Sequence, residues 1–144
     1  MNLKYEDLPD GWVVCFLNQC PRKETCLRYK GGMLLPDNIH ECSSVTPIVL
    51  KLKSCPCFQE IETIRVALGF KNIFREVKAR HAPRMRAQMT QYLHGNGTYY
   101  RYYRGEKALS PKQQIWIKEL FRTYGYTQDI EFDDYKDTYR FFDD

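Results

Sequence analysis

The sequence has no long apolar run. Its early apolar stretch, Trp12 to Leu17, is far shorter than the roughly 20 residues that span a bilayer. The opening residues, MNLKYEDLPDGW, also lack the basic start of a secretion signal. We therefore expect a cytoplasmic protein that makes no contact with a membrane.

The signatures of common catalytic and nucleotide-binding sites are missing as well. Gly95-Asn96-Gly97 is typical of a turn and not of a phosphate-binding loop. The histidines, His40, His81 and His94, lie far apart and match no catalytic spacing. A nucleophilic pair of Cys42 with His40 or His81 stays open, because such partners meet in space and not in sequence. The sequence favours a protein that is not an enzyme, and it identifies no small-molecule substrate.

All six cysteines lie in residues 1–57, and cysteine is absent from the rest of the chain. Residues 1–57 are rich in turn-forming residues, with a loop expected at Gly31-Gly32, and show little helical periodicity. Cytoplasmic thiols are kept reduced, so these cysteines indicate metal ligands, reactive groups or buried side chains before they indicate disulfides. We predict a loop-rich module that needs a bound metal or another cross-link to stabilise it.

The spacing of the cysteines permits a metal site. Cys15, Cys20 and Cys26 follow a C-x4-C-x5-C pattern, and Cys55 or Cys57 can supply a fourth sulfur from a Cys-Pro-Cys turn. Four such ligands suit a structural zinc ion, although the close C-x2-C pair of most zinc sites is missing. An iron–sulfur cluster tolerates wider gaps, and unliganded buried thiols or disulfides are further alternatives. We favour zinc, because it is redox-silent and sufficient to staple a small fold.

The remainder of the chain reads as an α+β fold. Strands are predicted at 48–53 and 61–68, from their β-branched and alternating residues, and short amphipathic helices at 70–77 and from Pro83 to Gly95. Residues 98–109 fit either a strand or a helical turn.

The clearest local signal begins at Ser110. Ser110, Pro111 and Gln113 form a capping box, and a helix is expected from there to Gly125. From Gln128 an acidic, aromatic tail follows, whose rings are expected to pack back on the domain. We predict a single domain, 1–144, in which a small cysteine-rich loop and strand module (1–57) precedes a mainly helical half (58–144).

Positive charge is concentrated in the middle of the chain, which carries a net charge of only +4. Guanidinium groups can hold phosphates and tyrosine rings can stack on exposed bases, so this stretch predicts an RNA or DNA surface. A solvated helix face with core tyrosines is the plainer interpretation. The residues predicted to bind nucleic acid are Arg80, Arg84, Arg86, Tyr99, Arg101, Tyr102, Arg104 and Lys107.

Several stretches together resemble a family of small, uncharacterised bacterial proteins that is classed only as a domain of unknown function. They are CFLNQCPRKETCLRY, the CPCF turn, GFKNIFREV, YYRYYRGEKALSPKQQ and a closing FDDY. The resemblance spans nearly the whole chain and brings no activity with it. It implies that the motif cysteines, and so the metal ligands, are Cys15, Cys20, Cys26 and Cys55, with Cys57, Cys42 and His40 in reserve.

These observations predict a non-enzymatic cytoplasmic protein with a structural metal held by cysteines. Its basic, tyrosine-rich surface is expected to bind nucleic acid or a nucleoprotein complex. Two alternatives belong to other classes: an iron–sulfur redox or sensor protein, and a protein–protein adaptor that makes no contact with nucleic acid.

Overall fold

The computed structural model describes residues 2–142. It has an α+β fold whose helices lie mainly in the C-terminal half, as predicted. The elements in chain order are helix α1 (Leu27–Gly32), strand β1 (Thr63–Leu68), helices α2 (Ala82–Tyr92), α3 (Asn96–Tyr103) and α4 (Pro111–Thr123), and strand β2 (Asp134–Tyr139). The two strands pair in an antiparallel sheet. Within the described range no helix is both long enough and apolar enough to cross a bilayer.

The chain divides into two compact units. The first consists of the chain up to Thr63 together with the segment that starts at Tyr139, and the second is Ile64–Thr138. All six cysteines lie in the first unit, whereas α2, α3 and α4 lie in the second. The predicted end of the cysteine-rich module, residue 57, therefore falls inside the first unit. The prediction of a single domain stays a prediction.

The second unit is built around the apolar faces of its helices. Met85, Met89 and Leu93 are completely buried, at the helical spacing that predicted α2. Phe70 packs edge-on against Tyr99, with ring centroids 5.2 Å apart. Helix α4 adds Ile117, which is also completely buried. Aromatic side chains thus supply much of this core, as the composition indicates.

The capping box of α4 is confirmed. The Ser110 hydroxyl accepts a hydrogen bond from the Gln113 backbone N–H at 3.2 Å, and the Gln113 side chain accepts one from the Ser110 N–H at 2.9 Å. These bonds satisfy N–H groups that have no partner inside the helix. Gly125, at φ +92°, follows the helix in the left-handed conformation that glycine adopts readily.

Two predicted elements are wrong. Residues 48–53 do not form a strand, because Pro47–Lys51 is a 3-10 helix. Its turns satisfy their own backbone, with the Leu52 N–H donating to the Val49 carbonyl at 3.2 Å. Residues 70–77 form turns and not a helix, with the Val77 N–H donating to the Phe74 carbonyl at 3.1 Å. The Asp133 carboxylate accepts a hydrogen bond from the Lys71 N–H at 2.8 Å and anchors the start of this segment.

Three further elements differ from the prediction or complete it. Gly31 and Gly32 lie inside α1 and not in a loop. The first half of the ambiguous stretch 98–109 is helical, because α3 extends to Tyr103. Strand β2 was not predicted from the acidic tail; its sequence, DYKDTY, lacks the β-branched run that marked β1.

Candidate metal centre

Five of the six cysteines line one small cavity of about 30 Å³ in the first unit. They are the four predicted ligands, Cys15, Cys20, Cys26 and Cys55, together with Cys57. Cys42 is exposed and contributes to a different cavity. Neither Cys42 nor His40 is among the described residues that line the thiol cavity. The structure thus brings the four predicted ligands together with one of the three reserve residues.

Backbone hydrogen bonds hold the segments that carry these thiols. The Cys15 N–H donates to the Arg28 carbonyl at 2.9 Å, which places the first cysteine beside α1. Cys26 directly precedes α1, and the Leu27 N–H donates to the Gln59 carbonyl at 2.7 Å. This second bond draws the Cys-Pro-Cys turn region toward the start of the helix. Residues far apart in sequence therefore meet around one cavity.

Arg28 connects the same segments through its side chain. Its Nε donates to the Cys57 carbonyl at 2.7 Å and its Nη1 to the Val13 carbonyl at 2.8 Å. Its guanidinium carbon lies 4.8 Å from the Trp12 ring centroid. Sequence reasoning missed this residue, although it belongs to the quoted stretch CLRY. The available signal was the position of this arginine, two residues after the motif cysteine Cys26.

The electrostatics of the cavity combine a buried Cys15 thiol with a cationic wall. Burial raises the pKa of the Cys15 thiol, a hydrogen bond from the Leu17 backbone opposes that effect, and the nearby thiols of Cys26, Cys20 and Cys55 raise the pKa further. The three thiols that act on Cys15 line the same cavity. Arg22, Lys23 and Arg28 also line the cavity, and no carboxylate does so among the described residues. Such a wall stabilises thiolates once their protons leave.

The sulfurs are gathered but are not arranged as ligands. Within residues 2–142 no group of three His, Cys, Asp or Glu side chains stands in position to hold an ion. The cysteines are all free thiols. In a tetrahedral zinc site each Zn–S bond is about 2.3 Å, which places the sulfurs about 3.8 Å apart. Metal binding would therefore require the sulfurs to come closer together.

Residues 1–141 match the model of a family of unknown function, DUF6078. The chain belongs to the DUF6078 family. The resemblance to an uncharacterised family is thereby confirmed, and the DUF6078 match assigns no activity to the protein. Comparison with curated proteins gives no match, and comparison with solved structures gives none either.

The basic surface of this DUF6078 chain lies on the second unit. Arg84 and Arg86 are exposed on α2, and Arg80 is exposed in the turn before it. Arg101 is exposed on α3. Within residues 2–142 neither Arg80, Arg84 nor Arg101 forms an ion pair. These three guanidinium groups are free to meet an anion.

Other members of the predicted surface are already engaged. Arg104 forms an ion pair with Glu106 at 2.7 Å, and the Lys107 ammonium lies 5.3 Å from the Tyr102 ring centroid. Tyr99 and Tyr102 are buried, with exposed fractions of 3% and 4%. Burial also raises the pKa of the Tyr99 hydroxyl to about 12. The prediction that these two rings stack on bases is corrected, because core packing makes their faces inaccessible.

Proposed function

We propose that the first unit binds one zinc ion through Cys15, Cys20, Cys26 and Cys55, and that this ion stabilises the fold and does not catalyse a reaction. The supporting observation is the convergence of five thiols on one cavity of about 30 Å³. Four thiolates fill the tetrahedral shell of zinc and leave no position for a substrate or an activated water. The role of the metal is therefore to hold the chain together.

The size of the cavity favours a single ion over a cluster. A cavity of about 30 Å³ has room for one small ion, since about 10–15 Å³ is enough to hold a water molecule. A cubic iron–sulfur cluster contains eight heavy atoms and would displace the surrounding Leu17, Val45 and Phe58 side chains. Zinc requires only that the sulfurs approach one another.

The energetic balance also favours zinc binding. Structural zinc sites in small peptides have apparent binding free energies of about 10–16 kcal/mol. Moving a side chain off its preferred rotamer costs on the order of 0.5–1.5 kcal/mol, so adjusting four cysteine side chains costs less free energy than zinc binding supplies. Four thiolates around Zn²⁺ carry a net charge of about −2. Arg22, Lys23 and Arg28 on the cavity wall would offset that charge.

We expect the purified protein to contain about one equivalent of zinc and to release it as the pH falls. Because burial raises the pKa of the Cys15 thiol, the metal-free site keeps its proton near neutrality, and zinc must displace it. Each displaced proton weakens apparent zinc affinity about tenfold per pH unit on acidification. Elemental analysis gives the content, and chelator competition between about pH 8 and about pH 6 gives the slope.

Two results would contradict this proposal. A colourless protein purified without oxygen that contains no metal and gains none from added zinc would leave only buried, unliganded thiols. A brown protein containing iron and sulfide would establish the cluster alternative.

A second candidate function belongs to the second unit, where the exposed guanidinium groups of Arg80, Arg84 and Arg101 support nucleic-acid binding. Since Tyr99 and Tyr102 are buried, contact with phosphates and not stacking on bases would supply the affinity. Binding of this kind discriminates little between base sequences. The partner would be RNA or DNA recognised by its backbone, alone or in a nucleoprotein complex.

We expect weak binding of generic RNA and DNA that falls steeply with salt. Arg84→Ala and Arg101→Ala should each reduce the slope of log affinity against log salt by about one, because each removes one phosphate contact. Lys136→Ala is a matched control, since Lys136 is an exposed cation on β2. Fluorescence anisotropy at several salt concentrations measures the slope. Absence of binding at low salt would favour the adaptor alternative.

A further inference from the structure

A cavity of about 490 Å³ opens on the second unit, far larger than the space between the thiols. Its volume lies in the range of about 300–1,000 Å³ that is common for small-molecule sites. Ile73, Val77 and Ile130 are half-buried around it, and the buried ring of Phe121 forms part of its floor. The cavity therefore offers apolar surface to a ligand.

The rim of this cavity is acidic in a chain whose net charge is +4. Glu76, Asp129 and Glu131 all contribute carboxylates, and no Lys or Arg is among the described residues that line it. The Asp129 carboxylate is paired with the Lys118 ammonium at 3.4 Å, so its charge is partly offset. Glu131 accepts a hydrogen bond from the Tyr135 hydroxyl at 3.3 Å, which leaves its charge in place. Glu76 and Glu131 therefore supply the rim charges that no ion pair offsets among the described residues.

Two aromatic rings line the cavity beside these carboxylates. The Phe121 and Tyr126 rings are 6.3 Å apart and inclined at 62°. The Tyr126 hydroxyl is fixed by His81 Nδ1 at 2.7 Å and accepts a hydrogen bond from the Lys78 N–H at 2.9 Å. This ring is thus held in place before any ligand arrives. Aromatic faces and carboxylates together are the groups that attract organic ammonium ions.

We propose that this cavity binds a small organic cation, an ammonium group carried on an apolar body. The hydrocarbon part would contact Ile73, Val77 and Ile130, and the ammonium would lie between the half-buried Tyr126 ring and the Glu76 and Glu131 carboxylates. The proposal does not depend on metal binding, because every residue that lines this cavity belongs to the second unit. A neutral ligand gains the apolar contact but not the charge attraction, and an anion is repelled.

The test compares three ligands that share one ring and differ in charge: benzylammonium, benzyl alcohol and benzoate. In ¹H–¹⁵N correlation spectra at low salt, benzylammonium is expected to shift the amides of Ile73, Val77, Gly125 and Ile130. Its affinity should exceed that of benzyl alcohol at least about fivefold, and benzoate should not bind. No shift at about 10 mM benzylammonium would overturn the proposal, since that concentration detects even very weak binding.

Variants separate charge recognition from nonspecific apolar contact. The double variant Glu76→Gln/Glu131→Gln should lose most of the preference for benzylammonium over benzyl alcohol, because only the aromatic ring and the ion-paired Asp129 then remain to attract the cation. Both positions are exposed, so the fold should survive, and the same spectra check this. Asp137→Asn removes an exposed carboxylate from β2, outside the cavity, and should leave the preference unchanged. An unaltered preference in the double variant, or equal affinity for both ligands in the wild-type protein, would refute the assignment.

Discussion

Cys26→Ser is expected to abolish zinc binding and to destabilise the first unit by more than about 3 kcal/mol. The serine hydroxyl is a poor zinc ligand, and an incomplete tetrahedral site loses most of its affinity. Cys26 is also buried, with an exposed fraction of 8%, and directly precedes α1. The loss should therefore reach the packing of α1 as well as the metal.

Stability alone does not distinguish a ligand from an ordinary buried thiol, because placing a hydroxyl in a buried site costs about 1–3 kcal/mol by itself. Zinc content and the response to a chelator make the distinction. A chelator should lower the unfolding temperature of the wild-type protein and leave that of Cys26→Ser unchanged. Trp12 belongs to the first unit, so its fluorescence in a Trp116→Phe background reports the unfolding of that unit.

Cys42→Ser is the matched control. Cys42 is exposed and does not line the thiol cavity, so this variant should keep its zinc and its stability. Cys57→Ser tests the fifth thiol: we expect it to retain zinc, because Cys57 is not one of the four proposed ligands. Equal zinc content in Cys26→Ser and Cys42→Ser would show that the motif cysteines are not ligands.

Local signals in the sequence predicted the elements that depend on local physics. Ser110 and Gln113 satisfy each other's backbone within one turn, so their pairing can be read from four residues. The alternation that predicted β1 also needs only neighbouring residues. Residues 48–53 share this β-branched character, yet their side chains gain no cross-strand partner and the segment turns instead.

Contacts between residues far apart in the sequence determine the features that could not be predicted from it. The turns at 70–77 are anchored at Lys71 by the carboxylate of Asp133, which is remote in sequence, and such a contact leaves no local pattern. Tyr99 and Tyr102 stand among exposed arginines in sequence but point into the core, because the helical period of α3 separates the two faces. Whether a ring in 98–109 faces the solvent or the core therefore depends on whether the segment is a strand or a helix, and the sequence left both possible.

The candidate metal site could be predicted as a set of thiols, though not as a geometry. The number of cysteines, the expected reducing environment and the resemblance to a family together predicted Cys15, Cys20, Cys26 and Cys55. These four residues do line one cavity. Spacing carried no information about Arg28, whose side chain joins the Val13 and Cys57 carbonyls. Such a connection becomes visible only when the segments have met.

Gly32→Ala is expected to destabilise the first unit by about 3 kcal/mol or more, since it overpacks a site where backbone must move. A Cβ built on Gly32 would collide with the Cys15 carbonyl oxygen and lie 3.0 Å from its carbonyl carbon. The Cys15 backbone is fixed by its bond to the Arg28 carbonyl, so it cannot retreat without disturbing the thiol cavity. Zinc affinity should fall together with stability. Urea unfolding followed by Trp12 fluorescence measures the first effect, and chelator competition measures the second.

Substitutions at two other glycines serve as controls for the effect of Gly32→Ala. At Gly31 the added methyl would meet only side-chain atoms, the nearest being a Trp12 ring carbon at 3.3 Å, and these can shift. Gly31→Ala should therefore cost about 1 kcal/mol and spare the metal. Gly97, in α3, has open space around it, so Gly97→Ala should be neutral or stabilise by up to about 1 kcal/mol. Equal losses at Gly31 and Gly32 would show that the approach of α1 to Cys15 does not control the cavity, because only Gly32 faces that carbonyl.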